Sequence, residues 1–436
     1  KGILQIAGCV NSQKTHLMYA LGDGFSYKII VFSSEEKAQK AYEEYRFLDS
    51  GVLYYPARDL LFYHADIKGN YLMNQRMEVI RSMVTRQKNQ EITVITTMDA
   101  FLDGLSPAEE IVSKRIQISS GDTVDFTKLQ ERLSGLGYAR EVQIEGPGQF
   151  AVRGGILDIF PLTEEIPVRV ELWGDEVDSI RTFDVESQRS IENLKEIEIY
   201  PAAELQSQKK QSFLEYFPTE ESILFLDEPQ RLIEKANEIE EEFQESVRKR
   251  EEAGLEETQE LTVYPVLEIL NRINQFYGVA FTALEGKCRG LKIRETDYIQ
   301  TKGVNPYNNS FEMLTRDLKR LKRNQYRVIL LSGSRTRAKR LAEDLRDYDL
   351  SSFYSEDMDR EVQPGEIMVA YGHVTQGYEY PMLKFMVISE TDIFGRQKKK
   401  KRRKLYEGQK IQSFSELKVG DYVVHENHGL GIYVSY

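Results

Sequence analysis

Gly8-Cys9-Val10-Asn11-Ser12-Gln13-Lys14-Thr15 decides the reading of this chain: it has the form of a phosphate-binding loop, GxxxxGK[ST], with Gln13 where the second glycine belongs. Glycine is needed there because the backbone turns through conformations that a β-carbon resists, aiming successive N–H groups at phosphate. Gln13 therefore predicts a spoiled cradle. The flanks keep the layout of a working loop. Gly2 to Ala7 is a short apolar run suited to a buried strand, and His16 to Leu21 opens a helix, with Lys14 and Thr15 in place. Far downstream, Ile223-Leu224-Phe225-Leu226 runs into Asp227-Glu228, the form of the carboxylates that hold magnesium and orient water in P-loop ATPases. Gly8, Gln13, Lys14, Thr15, Asp227 and Glu228 thus outline a vestigial nucleotide site, and no cofactor is expected in this chain.

Bulk composition is that of a soluble globular protein of about three domains: 436 residues, 29% charged and 41% hydrophobic. A formal net charge of -12 argues against a general nucleic-acid sheath. No apolar run approaches the ~20 residues of a membrane span, and no signal-peptide pattern is present. Cys9 and Cys288 are the two cysteines, which fits a reducing cytoplasm without a disulfide framework. The histidines form no metal set, since His425 and His428 lack further ligands and the HExxH order. The absence of an initial methionine and the stop at Tyr436 suggest a fragment.

Strands and helices alternate from Gly2 to about Ile118, with strands expected at Lys28 to Phe32, Val52 to Tyr55 and Ile92 to Thr97 and helices around 35 to 48 and 70 to 87, which predicts a doubly wound parallel sheet. From Ser119 the pattern changes. After a short helix, Lys128 to Leu136, the stretch Val142 to Tyr200 alternates with period two, as a half-exposed antiparallel sheet does. The Asp227-Glu228 strand then returns to the first fold, making that domain discontinuous. Residues 229 to 262 read as helix with a solvated acidic face, and Val279 to Leu284 as a strand. Beyond 305 the α/β theme repeats: Phe311, Leu314, Leu318 and Leu321 mark one helix face, Val328 to Leu331 a strand, Ser332-Gly333-Ser334 a structural turn, and Ala338, Leu341 and Leu345 the next helix. Strands follow at Ile367 to Ala370 and Phe385 to Ser389. Arg396 to Lys404 is almost wholly basic, and Val419 to His425 looks like the opening of a small β-barrel.

These segments give an α/β multidomain fold: a vestigial P-loop (RecA-like) doubly wound sheet in two parts (1–118 and 205–304), an inserted β-rich α+β domain (119–204), a second compact α/β domain (305–394), a basic linker (395–412) and the start of a small β-barrel (413–436). Gly148 to Pro161 and Arg169 to Arg181 resemble the UvrB homology module shared by bacterial transcription-repair coupling factors and UvrB, and Gly104 to Glu110 adds to the likeness. Val419 to Tyr433, with His425-Glu426-Asn427-His428-Gly429-Leu430-Gly431, is similar to the start of the coupling factors' RNA-polymerase-interacting domain. UvrB itself would carry an intact phosphate loop and a long hairpin, for which the interval Tyr54 to Gly69 is short, so the coupling factors fit better.

The resemblance implies an adaptor that recruits UvrA to stalled RNA polymerase, contacting the polymerase β subunit through the terminal segment. The full-length protein would add an ATP- and magnesium-dependent DNA translocase, with DNA as its track. The alternative is a UvrB-like ATP-dependent repair enzyme. In the strand Val168 to Trp173, Val168, Val170 and Leu172 point one way and Arg169, Glu171 and Trp173 the other. Arg153, Arg169 and Trp173 match the positions the family uses to hold UvrA, and Arg and Trp dominate binding energetics. The competing reading packs Trp173 on a neighbour and pairs Arg169 with Glu171 or another carboxylate. The basic run reads as a solvated linker, with DNA phosphate or an acidic partner as the other option.

Overall fold

The computed structural model describes residues 1–58, 70–162, 164–205, 207, 209–252, 262–357, 359–395, 422–425 and 429–432. Most of the interval read against an extended hairpin, the basic run 396–404 and His428 lie outside them.

Mostly apolar runs make the central strands of the first sheet. Its seven strands, in spatial order Ile293–Tyr298, Gly2–Ala7, Tyr277–Thr282, Ser222–Asp227, Tyr27–Phe32, Ile92–Thr97 and Leu53–Tyr55, are all parallel. The central strands are buried along their whole length, as expected where helices cover both faces. Alternate residues serve the two sides. Ile30, Phe32, Ile95 and Phe225 pack with Met18, Ala38 and Ala41 of helices Gln13–Leu21 and Glu35–Tyr45. Ile29, Val31, Val94 and Leu224 pack with Ile80, Leu232 and Ile269 of helices Asn70–Val84, Pro229–Glu252 and Val266–Ile273. One strand, Tyr277–Thr282, separates the Asp227 strand from the Gly8 strand.

Two short ladders carry the chain out of this unit and back: Gly104–Leu105 with Gln211–Ser212, and Ile116–Ser119 with Glu196–Ile199. Between them lies a six-stranded sheet, in order Ser190–Leu194, Glu176–Phe183, Val168–Trp173, Ile156–Phe160, Gln149–Arg153 and Ala139–Glu141. It is antiparallel except at its edge, where Ala139–Glu141 runs parallel to Gln149–Arg153. That parallel edge strand precedes Val142, and within the stretch read as antiparallel every pairing of this sheet is antiparallel. Val168, Val170, Val177 and Ile180 belong to the same apolar cluster as Ile29, Val31, Val94 and Leu224 of the first sheet.

The third sheet has the order Lys302–Gly303, Tyr378–Tyr380, Phe385–Ile388, Arg327–Ser332, Ile367–Tyr371, Ser352–Ser355. Helices Phe311–Arg323 and Arg335–Arg346 bury Leu314, Leu318, Leu341 and Leu345 against Val328, Leu330, Ile367 and Val369 on one face. Ile329, Leu331 and Val387 on the other meet Tyr378 and Tyr380. The turn Ser332-Gly333-Ser334 is structural: Ser334 caps the following helix, and Gly333 N–H donates to Glu390 at 2.9 Å. Tyr422–His425 and Gly429–Ile432 form an antiparallel hairpin. No helix among the described residues is long and apolar enough to cross a membrane.

Arg76, 1% exposed, pins the inserted sheet to the first. Its guanidinium reaches Asp103 at 2.6 Å and Glu204 at 2.7 Å, donates to the Pro56 carbonyl at 3.0 Å and lies 4.8 Å over the Tyr55 ring. Arg58 pairs with the same two carboxylates. Breaking a buried pair strands its partner charge in low dielectric. Arg76→Met is therefore expected to lower unfolding free energy by about 3 kcal/mol or more in urea titration, and an unchanged midpoint would show that Arg58 alone suffices.

Candidate functional site

The loop at the head of the Gly2–Ala7 strand is closed from within. Gly8 has φ +86°, and a Cβ there would stand 2.2 Å from the Ile299 carbonyl, so only glycine fits. Amides that an intact loop would aim at phosphate are bonded to protein instead. Cys9 N–H donates to Thr282 O, Gln13 N–H to Val10 O and Lys14 N–H to Asn11 O, each at 3.1 Å. Val10 N–H donates to Gln13 Oε1 at 3.3 Å. Gln13 is fully buried, and its Nε2 donates to the Tyr380 hydroxyl of the third sheet at 3.1 Å. The side chain that replaces glycine therefore fills the loop and links it to another part of the fold.

Lys14 is equally committed. Its Nζ lies 2.7 Å from Asp227 Oδ1 and 2.7 Å from Glu228 Oε1. Burial alone would push this ammonium down, but the two carboxylates outweigh it and hold it above the ordinary lysine range. Glu228 sits at φ +50°, held by its own N–H to Phe281 O at 2.9 Å and by Ala283 N–H donating to its Oε1 at 3.0 Å. Thr15, whose hydroxyl would meet magnesium in a working loop, donates to Glu44 Oε2 at 3.0 Å. Burial pushes the Cys9 thiol up to about 12, which leaves it protonated and unreactive.

Glu44 organises the seam with the third sheet. Buried on helix Glu35–Tyr45, it accepts from Ser12 Oγ at 2.7 Å, from Thr15, and from the backbone N–H of Thr375 at 2.6 Å. Gln376 adds an N–H to Ser12 Oγ (3.3 Å) and accepts from Asn11 Nδ2 (2.6 Å). His16 Nδ1 lies 2.9 Å from the Tyr380 hydroxyl, and burial holds that imidazole below its usual value, hence neutral. None of Glu44, Thr375, Gln376 or Tyr380 was singled out in the sequence. The one available signal was Glu44 itself, a carboxylate on the apolar stripe Ala38, Ala41, Tyr45, which demands buried partners.

In the inserted sheet Arg153 and Arg169 converge on Asp158, which is buried. Arg169 makes a bidentate pair, Nε to Oδ1 at 2.6 Å and Nη2 to Oδ2 at 2.9 Å; Arg153 Nη2 reaches Oδ2 at 2.8 Å. Arg169 also donates to Gln188 at 2.8 Å and lies 4.3 Å over the Phe183 ring. Arg169 thus pairs with a carboxylate, as the competing reading has it, and is not openly exposed: its side chain is 13% exposed, because Asp158, opposite it in the register, pulls it down. Glu171 pairs instead with Arg181. Trp173 is 85% exposed at the turn into Glu176–Phe183, where Gly174 has φ +63°. Leu172 N–H donates to Gly155 O at 2.8 Å, which brings the Arg153–Gly155 turn to the same end of the sheet. Val168 and Val170 are buried beneath.

The UvrB interaction domain family matches residues 116–205, the span of the inserted sheet and the ladder that flanks it, and the CarD-like/TRCF RID domain family matches residues 417–436. Among curated proteins, a transcription-repair-coupling factor of Bacillus subtilis (strain 168) is 28% identical, with 98% of this chain and 42% of that protein covered. Those of Staphylococcus haemolyticus (strain JCSC1435), at 25%, and Staphylococcus aureus (strain Mu50), at 26%, each cover 89% of this chain and 38% of their own length. The chain spans about two fifths of the curated relatives it matches. Along most of its length, then, this protein is similar to transcription-repair-coupling factors, and it carries the UvrB interaction and CarD-like/TRCF RID matches in that order.

Proposed function

We propose that this chain is the adaptor portion of a cytoplasmic transcription-repair coupling factor, recruiting UvrA through the inserted sheet and engaging the RNA polymerase β subunit through the segment that begins near residue 413. The observation that carries this reading is the coincidence of the UvrB interaction match with a sheet that presents Trp173 and Arg153 to solvent. Arg169 and Asp158 form the rigid base of that surface. Translocation on DNA, fuelled by ATP and magnesium, belongs in this reading to parts of the full-length protein that this chain does not span.

The first unit is read as a RecA-like ATPase fold that no longer binds nucleotide. Its residual Lys14, Thr15, Asp227 and Glu228 fit a former ATP–magnesium site, yet each is bonded to another protein group. Both this chain and Gln13→Gly should fail to bind Mg-ATP in calorimetric titration, because restoring glycine leaves Lys14 neutralised and the loop under Thr375 and Tyr380. Micromolar, magnesium-dependent binding by the parent chain would instead favour a UvrB-like ATP-dependent enzyme.

Docking separates the side chains by role. Trp173→Ala should weaken UvrA binding by about 2 kcal/mol or more, the range of interface hot spots, with the thermal melt unchanged. Arg169→Ala should lose binding and stability together, since Asp158 is left with one partner. Val170→Ala should mainly lower stability, by about 2 kcal/mol, through the cavity it opens. Titration of UvrA against each variant beside its melt checks this, and parental affinity in Trp173→Ala would remove the tryptophan from the docking surface.

A further inference from the structure

Charge in the third unit is sharply divided. Residues 311–346 carry 11 Lys and Arg against 4 Asp and Glu, whereas residues 347–395 carry 2 against 10. The basic part coincides with the helical layer. Helices Phe311–Arg323 and Arg335–Arg346 both pack on the Val328 and Leu330 face of the sheet, and the Phe311 and Tyr348 rings, 5.2 Å apart, join their ends. Because Leu314, Leu318, Leu321, Leu341 and Leu345 occupy the inner stripes, the cationic residues are left on the outside.

Within this layer some charges are already neutralised: Arg320 pairs with Asp317, Arg337 with Glu390 and Lys339 with Glu356. Arg316, Lys319, Arg323 and Arg340 are exposed and make no ion pair with a described residue. Even against the exposed Glu312, Glu343 and Asp344 of the same helices, a chain with a formal charge of -12 thus concentrates a net excess of positive charge on one helical surface, which favours a polyanion with regularly spaced charges. No exposed position within either helix carries an aromatic ring, and the exposed Tyr348 at their junction packs against Phe311, so the face lacks the row of stacking platforms that holds single strands. A helix of 13 residues extends about 20 Å, enough to follow several phosphates.

We propose that the outer face of helices Phe311–Arg323 and Arg335–Arg346 binds the phosphodiester backbone of duplex DNA without reading its sequence. The proposal is independent of UvrA docking and uses no residue of the inserted sheet. Contacts of this kind release counterions, so affinity should fall steeply with salt.

The test is fluorescence anisotropy of the whole chain with a labelled duplex of about 25 base pairs between about 50 and 200 mM salt, where such contacts titrate. The parent is expected to bind, and unlabelled duplex to compete better than single strand of the same length. Arg316→Ala/Lys319→Ala/Arg323→Ala/Arg340→Ala should bind about tenfold or more weaker, with the slope of log K against log salt reduced by roughly three to four and an unchanged melt. Lys319→Gln alone should reduce the slope by roughly one and serves if the quadruple variant misfolds. Lys128→Ala/Arg132→Ala, on the helix Phe126–Gly135, should match the parent. The proposal is overturned if the parent does not bind duplex at the lowest salt, if the helix variants bind like the parent, if single strand competes better, or if replacing residues 398–404 by glycine and serine abolishes binding.

Discussion

The ammonium of Lys14, held 2.7 Å from both Asp227 and Glu228, is the constraint on which the arrangement of the first and third sheets depends. Three charges are taken from water at one sheet end, at a desolvation cost of several kcal/mol per ion that close pairing and further hydrogen bonds must offset. With the lysine paired and the amides of Cys9, Val10, Gln13 and Lys14 bonded to protein groups, that end needs neither an anion nor a hydrated mouth. A second sheet can then cover it. Gln13 supplies the physical link, since its carbonyl satisfies the loop while its amide reaches Tyr380. Glu44 completes the seam with three donors from the two units, Ser12 and Thr15 of one and Thr375 of the other. What reads in sequence as damage to a phosphate loop is, in the fold, the joint between two units.

The opposite face of the first sheet carries the inserted module in a similar way. Arg76 and Arg58 share Asp103 and Glu204, so the chain that leaves at Asp103 and the chain that returns at Glu204 are tied to the same two arginines. Tyr55 stacks on Phe213 at 3.7 Å alongside. The apolar cluster continues from the first sheet into Val168, Val170 and Ile180, which makes the Val168–Trp173 strand part of the core it projects from. Trp173, 85% exposed, thus stands on a fixed base, so in the proposed docking little ordering entropy would remain to be lost.

Much of this was legible in sequence because the signals were local. The strand, loop and helix around Gly8 to Thr15, the Asp227-Glu228 strand and the alternation of Val168 to Trp173 each occupy fewer than a dozen residues, and the structure places those segments as strands and helix where expected. The seam was not legible, since Glu44 meets Thr375 across 331 positions and nothing in either neighbourhood names the other. Ile293–Tyr298 escaped notice because an edge strand with five exposed, mostly polar residues shows neither an apolar run nor alternation. For Arg169, alternation gave the correct face but not its burial, which depends on Asp158 lying opposite in the sheet.

Hydrogen–deuterium exchange tests the sealed joint most directly. Peptides covering residues 8–16 and 372–380 would be followed in the parent chain, with and without millimolar Mg-ATP, and in Glu44→Ala. The sealed joint predicts slow exchange in both segments, no response to nucleotide, and simultaneous loss of protection in both when Glu44 is removed. Protection gained at residues 8–16 on adding Mg-ATP, or deprotection in Glu44→Ala confined to one of the two segments, would contradict it.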